Sequence, residues 1–134
     1  MATILVVDDE KDVVGLVKFM LEKEGHKVVE AYNGKEALIK VGLEPAENNT
    51  APIRPDLIIL DIMMPIMDGY TVNTRLQQNE LTRSIPVLVL TAKGQMRDLF
   101  EIAPNVAAYI EKPFDPKSLR ERIREILAKN QAAS

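Results

Sequence analysis

The sequence predicts a single α/β domain built on a parallel sheet. Runs of branched apolar residues alternate five times along the chain with segments whose apolar residues recur at helical spacing, which is typical of repeated βα units. The clearest run, 57–60, ends at Asp61 and lies between Pro55 and Pro65. Such a run predicts a strand that is buried on both faces, as the strands of a parallel sheet are.

Length and composition limit the class of protein. The 134 residues fit one domain, which we place at 1–129 with a short tail at 130–134. The net charge of -3 argues against direct nucleic-acid binding or an anionic-membrane surface as the main purpose. No apolar run approaches the roughly 20 residues of a membrane helix, and we see no signal-peptide pattern. Because there is no Cys, disulfides and thiolate chemistry are excluded, and we expect a cytoplasmic protein.

The first half of the chain has recognisable element boundaries. Residues 4–7 predict the first strand, and the helix after it should end at Gly25 in left-handed backbone. Residues 27–31 predict a weaker strand, and the pair Asn33 and Glu36 predicts a capped start for the second helix. The irregular segment 44–55, with three Pro and two Asn, predicts an unusually long surface loop.

The second half continues the alternation. A third helix is predicted over about 70–79, and a strand over 86–91. A short fourth helix, with Met96, Leu99 and Phe100 on one face, should precede the last strand at 107–110. The final helix should begin with Asp115 as its N-cap and Pro116 at its first position, and its apolar stripe contains Leu119, Ile123, Ile126 and Leu127.

Four of the five predicted strands end in residues that could carry chemistry. These are Asp8 and Asp9 after the first strand, Asp61 after the third, Thr91 after the fourth and Lys112 after the fifth. In an open parallel sheet the carboxyl ends of the strands meet at one edge, where such folds bind ligands. Taken singly, each Asp is equally consistent with a helix cap or a loop, so it is their joint placement that favours a functional site.

The types of side chain predict the chemistry of this edge. Carboxylates that lie close together raise one another's pKa unless a cation is present. Mg²⁺ suits such a site because it binds through a few carboxylates and keeps waters or phosphate oxygens as its other ligands. Lys112 can neutralise phosphoryl oxygens, and Thr91 can donate a hydrogen bond. Together these groups predict phosphoryl transfer to an Asp nucleophile.

Four motifs resemble the receiver domain of bacterial two-component response regulators. They are Leu5–Glu10, Asp61–Pro65 continued by Met67–Gly69, Leu90–Ala92, and Tyr109–Phe114. The resemblance spans Thr3 to about Lys129. It implies a flavodoxin-like, doubly wound domain with a five-stranded parallel sheet of order 2-1-3-4-5 flanked by five helices.

The resemblance also implies a role for each residue at the strand ends. Asp61 would accept a phosphoryl group from a phosphohistidine of a sensor histidine kinase or a phosphotransfer protein. The ligands organising Mg²⁺ would be Asp9, Asp61, the backbone carbonyl of Met63 and, through water, Asp8. Lys112 would contact the phosphoryl group, and its peptide bond to Pro113 would be cis.

Phosphorylation would then act as a switch. The resemblance implies that Thr91 moves to hydrogen-bond the phosphoryl group and that Tyr109 turns inward. The face formed by the fourth helix, the fifth strand and the fifth helix would change its fit to a downstream effector protein. Such a domain is not an enzyme beyond catalysing its own phosphorylation and dephosphorylation, and it would be a monomer or a weak, phosphorylation-dependent dimer.

Two features depart from the family pattern. The connection at 44–55 is longer than in most receivers, and its role is open. The family often has a Gly-containing turn before the last strand, where this chain has Asn105. Because Asn tolerates left-handed backbone, we expect Asn105 to adopt that conformation.

Three other interpretations are possible, and the sequence disfavours the second and third of them. The chain could be the excised N-terminal receiver of a longer regulator with a DNA-binding or enzymatic output domain, and residues 130–134 do not decide this. A phosphatase with an Asp nucleophile is less favoured, because such enzymes carry a second Asp two residues later, where this chain has Met63. A partner-binding pseudo-receiver would lack the acidic residues that are present here.

Overall fold

The computed structural model describes residues 1–46, 51–92 and 103–133. In chain order, the elements are β1 (Thr3–Val7), α1 (Lys11–Lys23), β2 (Lys27–Ala31), α2 (Gly34–Lys40), β3 (Leu57–Asp61), α3 (Gly69–Gln77), β4 (Val87–Ala92), β5 (Val106–Lys112) and α4 (Pro116–Ala133). The described residues thus contain four helices, not the five we predicted. The short helix predicted at Met96, Leu99 and Phe100 lies outside them.

The five strands form one parallel sheet in the order β2-β1-β3-β4-β5, which confirms the predicted order 2-1-3-4-5. After β1 the chain passes to β2 on one side and later returns to β3 on the other. The strand order therefore reverses between β1 and β3, the place where doubly wound sheets bind their ligands. Val7 lies opposite Leu60, so the residues that follow them, Asp8 and Asp61, lie side by side at the carboxyl ends of β1 and β3.

Both faces of the sheet are covered, as the apolar runs predicted. Alternate residues of β3 enter two separate clusters, Leu57 and Ile59 on one face and Ile58 and Leu60 on the other. The first cluster packs under α1 and α4, and the second packs under α2 and α3. All five residues of β3 are buried, because side chains of a strand point alternately to its two faces.

The predicted helix boundaries hold at most positions. Gly25 has a φ of 90°, the left-handed backbone expected at the end of α1. The backbone N–H of Glu36 donates to Asn33 Oδ1 at 2.9 Å, which confirms the cap of α2. The backbone N–H of Ser118 donates to Asp115 Oδ2 at 3.3 Å at the start of α4. That helix runs to Ala133, beyond position 129 where we placed the end of the domain.

The prediction for Asn105 is wrong. In the described residues Ile66 is the one non-glycine residue with positive φ, so Asn105 does not adopt left-handed backbone. Its side chain is instead buried and paired with that of Asn73 on α3, with Nδ2 of Asn105 donating to Oδ1 of Asn73 at 2.6 Å. Gln77 Nε2 also donates to Asn105 Oδ1, at 3.0 Å. The turn before β5 is therefore held by side-chain hydrogen bonds.

The described ends of the long loop are attached to neighbouring helices. The backbone N–H of Ile53 donates to Lys40 O at the end of α2, at 2.8 Å. Arg75 on α3 contacts Glu44 Oε1 at 2.9 Å and donates to Leu43 O at 3.1 Å. Residues 47–50 lie outside the described residues. No helix in the described part of the chain has the length and apolar character needed to cross a membrane.

Candidate functional site

The ends of β1 and β3 place two buried carboxylates beside each other. Asp8 follows β1 and is fully buried, with its backbone N–H donating to Ala31 O at 3.1 Å. Asp61 is the last residue of β3 and is 4% exposed. Asp9 is adjacent to Asp8 and is exposed. Carboxylate oxygens of all three residues lie within 4.8 Å of one another.

This acidic cluster fits Mg²⁺. Its ligand atoms are all carboxylate oxygens, which hard divalent cations prefer. Because Asp9 is exposed while Asp8 and Asp61 are buried, the cluster is open to water on one side. Mg²⁺ keeps several waters when it binds to proteins, so one open side is what such a site requires.

Lys112 lies among these carboxylates. Its Nζ is 2.7 Å from Asp8 Oδ2 and 3.5 Å from Asp61 Oδ2. A third acid, Glu10, contacts the same ammonium through Oε1 at 3.1 Å. Lys112 ends β5, and its peptide bond to Pro113 is cis, as the resemblance implied. Sequence reasoning did not assign Glu10 to this site, although its position beside the acidic pair was a usable signal.

Burial and mutual repulsion change the proton affinities of the cluster. Burial raises the pKa of Asp61 to about 7, with further raising by the charge of Asp8, while the Lys112 charge opposes the shift. The pKa of Asp8 is also raised, because burial outweighs its hydrogen bond from Lys112. Burial lowers the pKa of Lys112, but its hydrogen bond to Asp8 and the charge of Asp61 more than reverse this. The site therefore favours an added cation.

Thr91 lies on β4, the strand next to β3, and Tyr109 lies on β5, the edge strand beyond β4. Asp61 is paired in register with Leu90, so Thr91 is the next residue along the neighbouring strand, and it is 2% exposed. Tyr109 is in the middle of β5, is partly buried and packs against the cluster under α2 and α3. The structure thus places Thr91 at the same sheet edge as Asp61, whereas Tyr109 lies opposite Val89, two residues back from that edge.

The loop after Asp61 turns back tightly on the strand end. The backbone N–H of Gly69 donates to Ile62 O at 2.8 Å, and Asp68 caps α3 by accepting from Thr71 N–H at 2.9 Å. Ile66 has a φ of 72°, and Met67 N–H donates to Pro65 O across it at 2.8 Å, which forms a three-residue turn. Nothing in the sequence predicted this turn, because a β-branched residue rarely adopts positive φ.

Met63 lies in the same loop, two residues after Asp61. Its side chain is 58% exposed, so it contributes little to the core. The proposed ligand is its backbone carbonyl, and this assignment stays a prediction.

The fold and the edge of the sheet define a class. A flavodoxin-like sheet with three carboxylates and a lysine at the carboxyl ends of its strands is the arrangement of a receiver domain. The model of the response regulator receiver domain family matches residues 4–124. The chain belongs to this family, and it is a receiver domain of two-component response regulators.

Two curated relatives show the extent of the similarity. The chain is 38% identical over 132 residues to the alkaline phosphatase synthesis transcriptional regulatory protein PhoP of Bacillus subtilis, covering 98% of this chain and 50% of that protein. It is 40% identical over 129 residues to the DNA-binding dual master transcriptional regulator RpaA of Synechocystis, covering 95% of this chain and 49% of that protein. The chain thus spans about half the length of the curated relatives it matches.

Solved structures agree with this assignment. A putative response regulator from Chloroflexus aurantiacus superposes with a TM-score of 0.79 at 35% identity, covering 95% of this chain and 98% of that one. The chemotaxis response regulator CheY4 of Vibrio cholerae gives a TM-score of 0.80 at 27% identity, covering 94% of this chain and 98% of that one.

Proposed function

We propose that Asp61 is the phosphoacceptor of this receiver and takes a phosphoryl group from a phosphohistidine of a sensor histidine kinase or a phosphotransfer protein. The observation that carries the proposal is the convergence of Asp8, Asp9 and Lys112 on the Asp61 carboxylate. A carboxylate beside a cation site and an ammonium has both the nucleophile and the positive charge that phosphoryl transfer needs.

In the proposed transfer, an Asp61 carboxylate oxygen attacks phosphorus and forms an O–P bond. The P–N bond to the donor histidine breaks, and its electron pair stays on the ring nitrogen. In the second half of the cycle, a water oxygen attacks phosphorus, the P–O bond to Asp61 breaks with its electron pair left on the carboxylate, and inorganic phosphate leaves. The chain therefore catalyses only its own phosphorylation and dephosphorylation and has no separate substrate.

Asp8, Asp9, Asp61 and the backbone carbonyl of Met63 would hold Mg²⁺. When bound, this ion neutralises negative charge on the transferring phosphoryl group. Lys112 contacts a phosphoryl oxygen on Asp61, since its Nζ lies 3.5 Å from Asp61 Oδ2 before transfer. Asp61 attacks as the carboxylate; without a bound cation, burial raises its pKa to about 7, and a cation at the site favours the ionised form.

Phosphorylation is proposed to signal by changing the shape of one surface of the domain. Thr91 turns its hydroxyl toward the phosphoryl group, and Tyr109 follows toward the core. The face built from the predicted fourth helix, β5 and α4 then changes its fit to a downstream effector protein. We further propose a cytoplasmic location and a monomer or a weak, phosphorylation-dependent dimer.

Intact-mass measurement tests the site. With acetyl phosphate and Mg²⁺, the wild-type chain should gain the mass of one phosphoryl group, and Asp61→Asn should gain none. Asp68→Asn is the matched control, because Asp68 is an exposed carboxylate of the same loop and Asn also caps helices well. Incorporation that survives Asp61→Asn refutes the assignment. Steady release of phosphate from unrelated phosphomonoesters favours the phosphatase alternative instead.

A second proposal concerns the whole protein. The matched relatives are named as transcriptional regulators and are about twice as long as this chain. A receiver at 1–129 that controls a DNA-binding output domain in a longer regulator is the corresponding alternative to a stand-alone protein. The length of the native gene separates the two: an open reading frame that continues into a second domain supports the longer regulator.

A further inference from the structure

The ammonium of Lys112 forms ion pairs both with Glu10 and with the acidic cluster. Lys112 Nζ is 3.1 Å from Glu10 Oε1 and 2.7 Å from Asp8 Oδ2, while Asp61 is more distant at 3.5 Å. The side chain of Glu10 is 60% exposed, whereas those of Asp8 and Asp61 are buried. Lys112 therefore contacts one carboxylate at the surface and two in the interior.

The position of Glu10 is fixed by its backbone. Its N–H donates to Asp8 Oδ1 at 2.9 Å, and it is the residue from which α1 begins. The backbone carbonyl of Glu10 accepts from Val14 N–H at 3.1 Å. The side chain therefore starts from a rigid point at the mouth of the site.

We propose that Glu10 is a positioning residue that draws Lys112 toward the surface and so keeps Asp8 and Asp61 available to Mg²⁺. The inference rests on the proposed function, and it adds that Glu10 controls how readily Mg²⁺ reaches the carboxylates of the proposed site.

The physical basis is competition between two cations for the same carboxylates. An ammonium in contact with Asp8 and near Asp61 repels a divalent ion that needs their oxygens, and this repulsion is strong where water is excluded. Lys112 must therefore move its charge outward when Mg²⁺ enters. Glu10 offers a carboxylate within hydrogen-bond distance on the exposed side, so the ammonium leaves the interior without losing an ionic partner.

Titration of the full chain with Mg²⁺ tests the proposal, with the shifts of backbone amide resonances as the readout. Glu10→Gln should raise the dissociation constant for Mg²⁺ about fivefold at physiological salt. Asp12→Asn is the matched control, since Asp12 is an exposed carboxylate in the first turn of the same helix. It should change the constant less than about twofold, because exposed charges are screened over such distances.

Two further variants separate the contact with Lys112 from the bare charge of Glu10. Glu10→Asp keeps the charge but withdraws the carboxylate by one methylene, and it should weaken Mg²⁺ binding nearly as much as Glu10→Gln. In a Lys112→Gln background, whose amide can still donate to Asp8, Glu10→Gln should change the constant less than about twofold.

The outcomes are distinct. Equal effects of Glu10→Gln with and without Lys112 overturn the proposal, as does wild-type affinity in Glu10→Asp. Thermal unfolding of each variant in EDTA shows whether a higher dissociation constant for Mg²⁺ reflects loss of the fold. Acetyl phosphate labelling of the wild type is run in parallel. If the wild type binds Mg²⁺ but takes no phosphoryl group, the proposed function fails while the titrations still decide the role of Glu10.

Discussion

Gly69 packs directly against the backbone of Asp61. A Cβ added at Gly69 would lie 2.5 Å from the Asp61 carbonyl oxygen and 2.8 Å from Ile62 Cα. Both neighbours are backbone atoms at the end of β3, so they cannot move aside independently of the Asp61 carboxylate. Gly69, the first residue of α3, therefore helps to position the proposed phosphoacceptor.

We expect Gly69→Ala to lower the free energy of unfolding by about 1–3 kcal/mol, because the added methyl group overpacks a buried backbone contact. Phosphorylation by acetyl phosphate should slow as well, since Asp61 is displaced. Gly15→Ala is the control: Gly15 lies within α1, and an added Cβ there has nothing within 4 Å. It should increase stability by about 0.5–1 kcal/mol. Urea unfolding measures both, and equal effects would contradict this account.

Features that depend on a single local segment of the chain were predictable from the sequence. The run 57–60 identified β3, and the polar residues after the strands identified Asp8, Asp61, Thr91 and Lys112, because parallel strands present their carboxyl ends at one edge. The stripe on α4 was predicted for the same reason, since its period depends on the helix alone.

Features that depend on contacts between distant segments were not predictable. The pairing of Glu10 with Lys112 joins residues 102 positions apart, and it requires the sheet to exist first. Asn105 was assigned a backbone role from its residue type, but a partner on α3 gives it a side-chain role. Ile66 adopts a conformation that its own propensity opposes, so only the surrounding loop can impose it.

Asp61→Asn should stabilise the metal-free protein at alkaline pH. In the wild type, the pKa of the Asp61 carboxyl is raised from 3.8 to about 7. The folded chain therefore binds this proton more tightly than the unfolded chain does, and the free energy of unfolding falls as the pH rises between these two values. At pH 8 in EDTA, removal of the buried charge should raise the free energy of unfolding by about 1–3 kcal/mol. Urea unfolding with and without Mg²⁺ measures this, and the gain should shrink when Mg²⁺ is present. A variant less stable than wild type in EDTA at pH 8 would refute it.

His26 should make stability depend on pH just below neutrality. Its Nδ1 accepts a hydrogen bond from Ala2 N–H at 3.1 Å, and burial holds its pKa below the usual 6.5 despite the nearby carboxylates of Glu24 and Asp56. A lowered pKa means that the unfolded chain binds the proton more tightly. The stabilisation of the fold by neutral His26 is therefore present above pH 6.5 and is lost as the pH falls below that value.

The test compares the wild type with His26→Asn, whose amide oxygen can accept the same hydrogen bond without titrating. Thermal unfolding midpoints should diverge as pH falls from about 6.5 to 5, with the wild type losing more. Parallel curves for the two proteins would show that another group causes the pH dependence.

Thr91→Ala should separate phosphorylation from switching. Thr91 is buried at the end of β4, and its proposed role is to bind the phosphoryl group only after transfer. Intact mass should therefore still show one phosphoryl group. The resonances of Tyr109 should shift on phosphorylation of the wild type and should shift much less in the variant. Wild-type shifts at Tyr109 would exclude Thr91 as the link, and Thr82→Ala, which removes a buried hydroxyl elsewhere, controls for general perturbation.

Asn105 and Asn73 should act as a unit in stability. Each donates to the other across the gap between α3 and the turn before β5, at 2.6 and 3.4 Å, and both side chains are buried. Asn105→Ala leaves the Asn73 amide without this partner in a buried position, which should cost about 1–3 kcal/mol of unfolding free energy. Asn105→Gly should cost at least as much, because the backbone is not left-handed and gains nothing from glycine.

The double variant with Asn73→Ala should cost less than the sum of the two single changes, since neither amide is then left unpaired by the other. Urea unfolding of the four proteins gives the coupling energy, and strict additivity would show that the two side chains stabilise the fold independently.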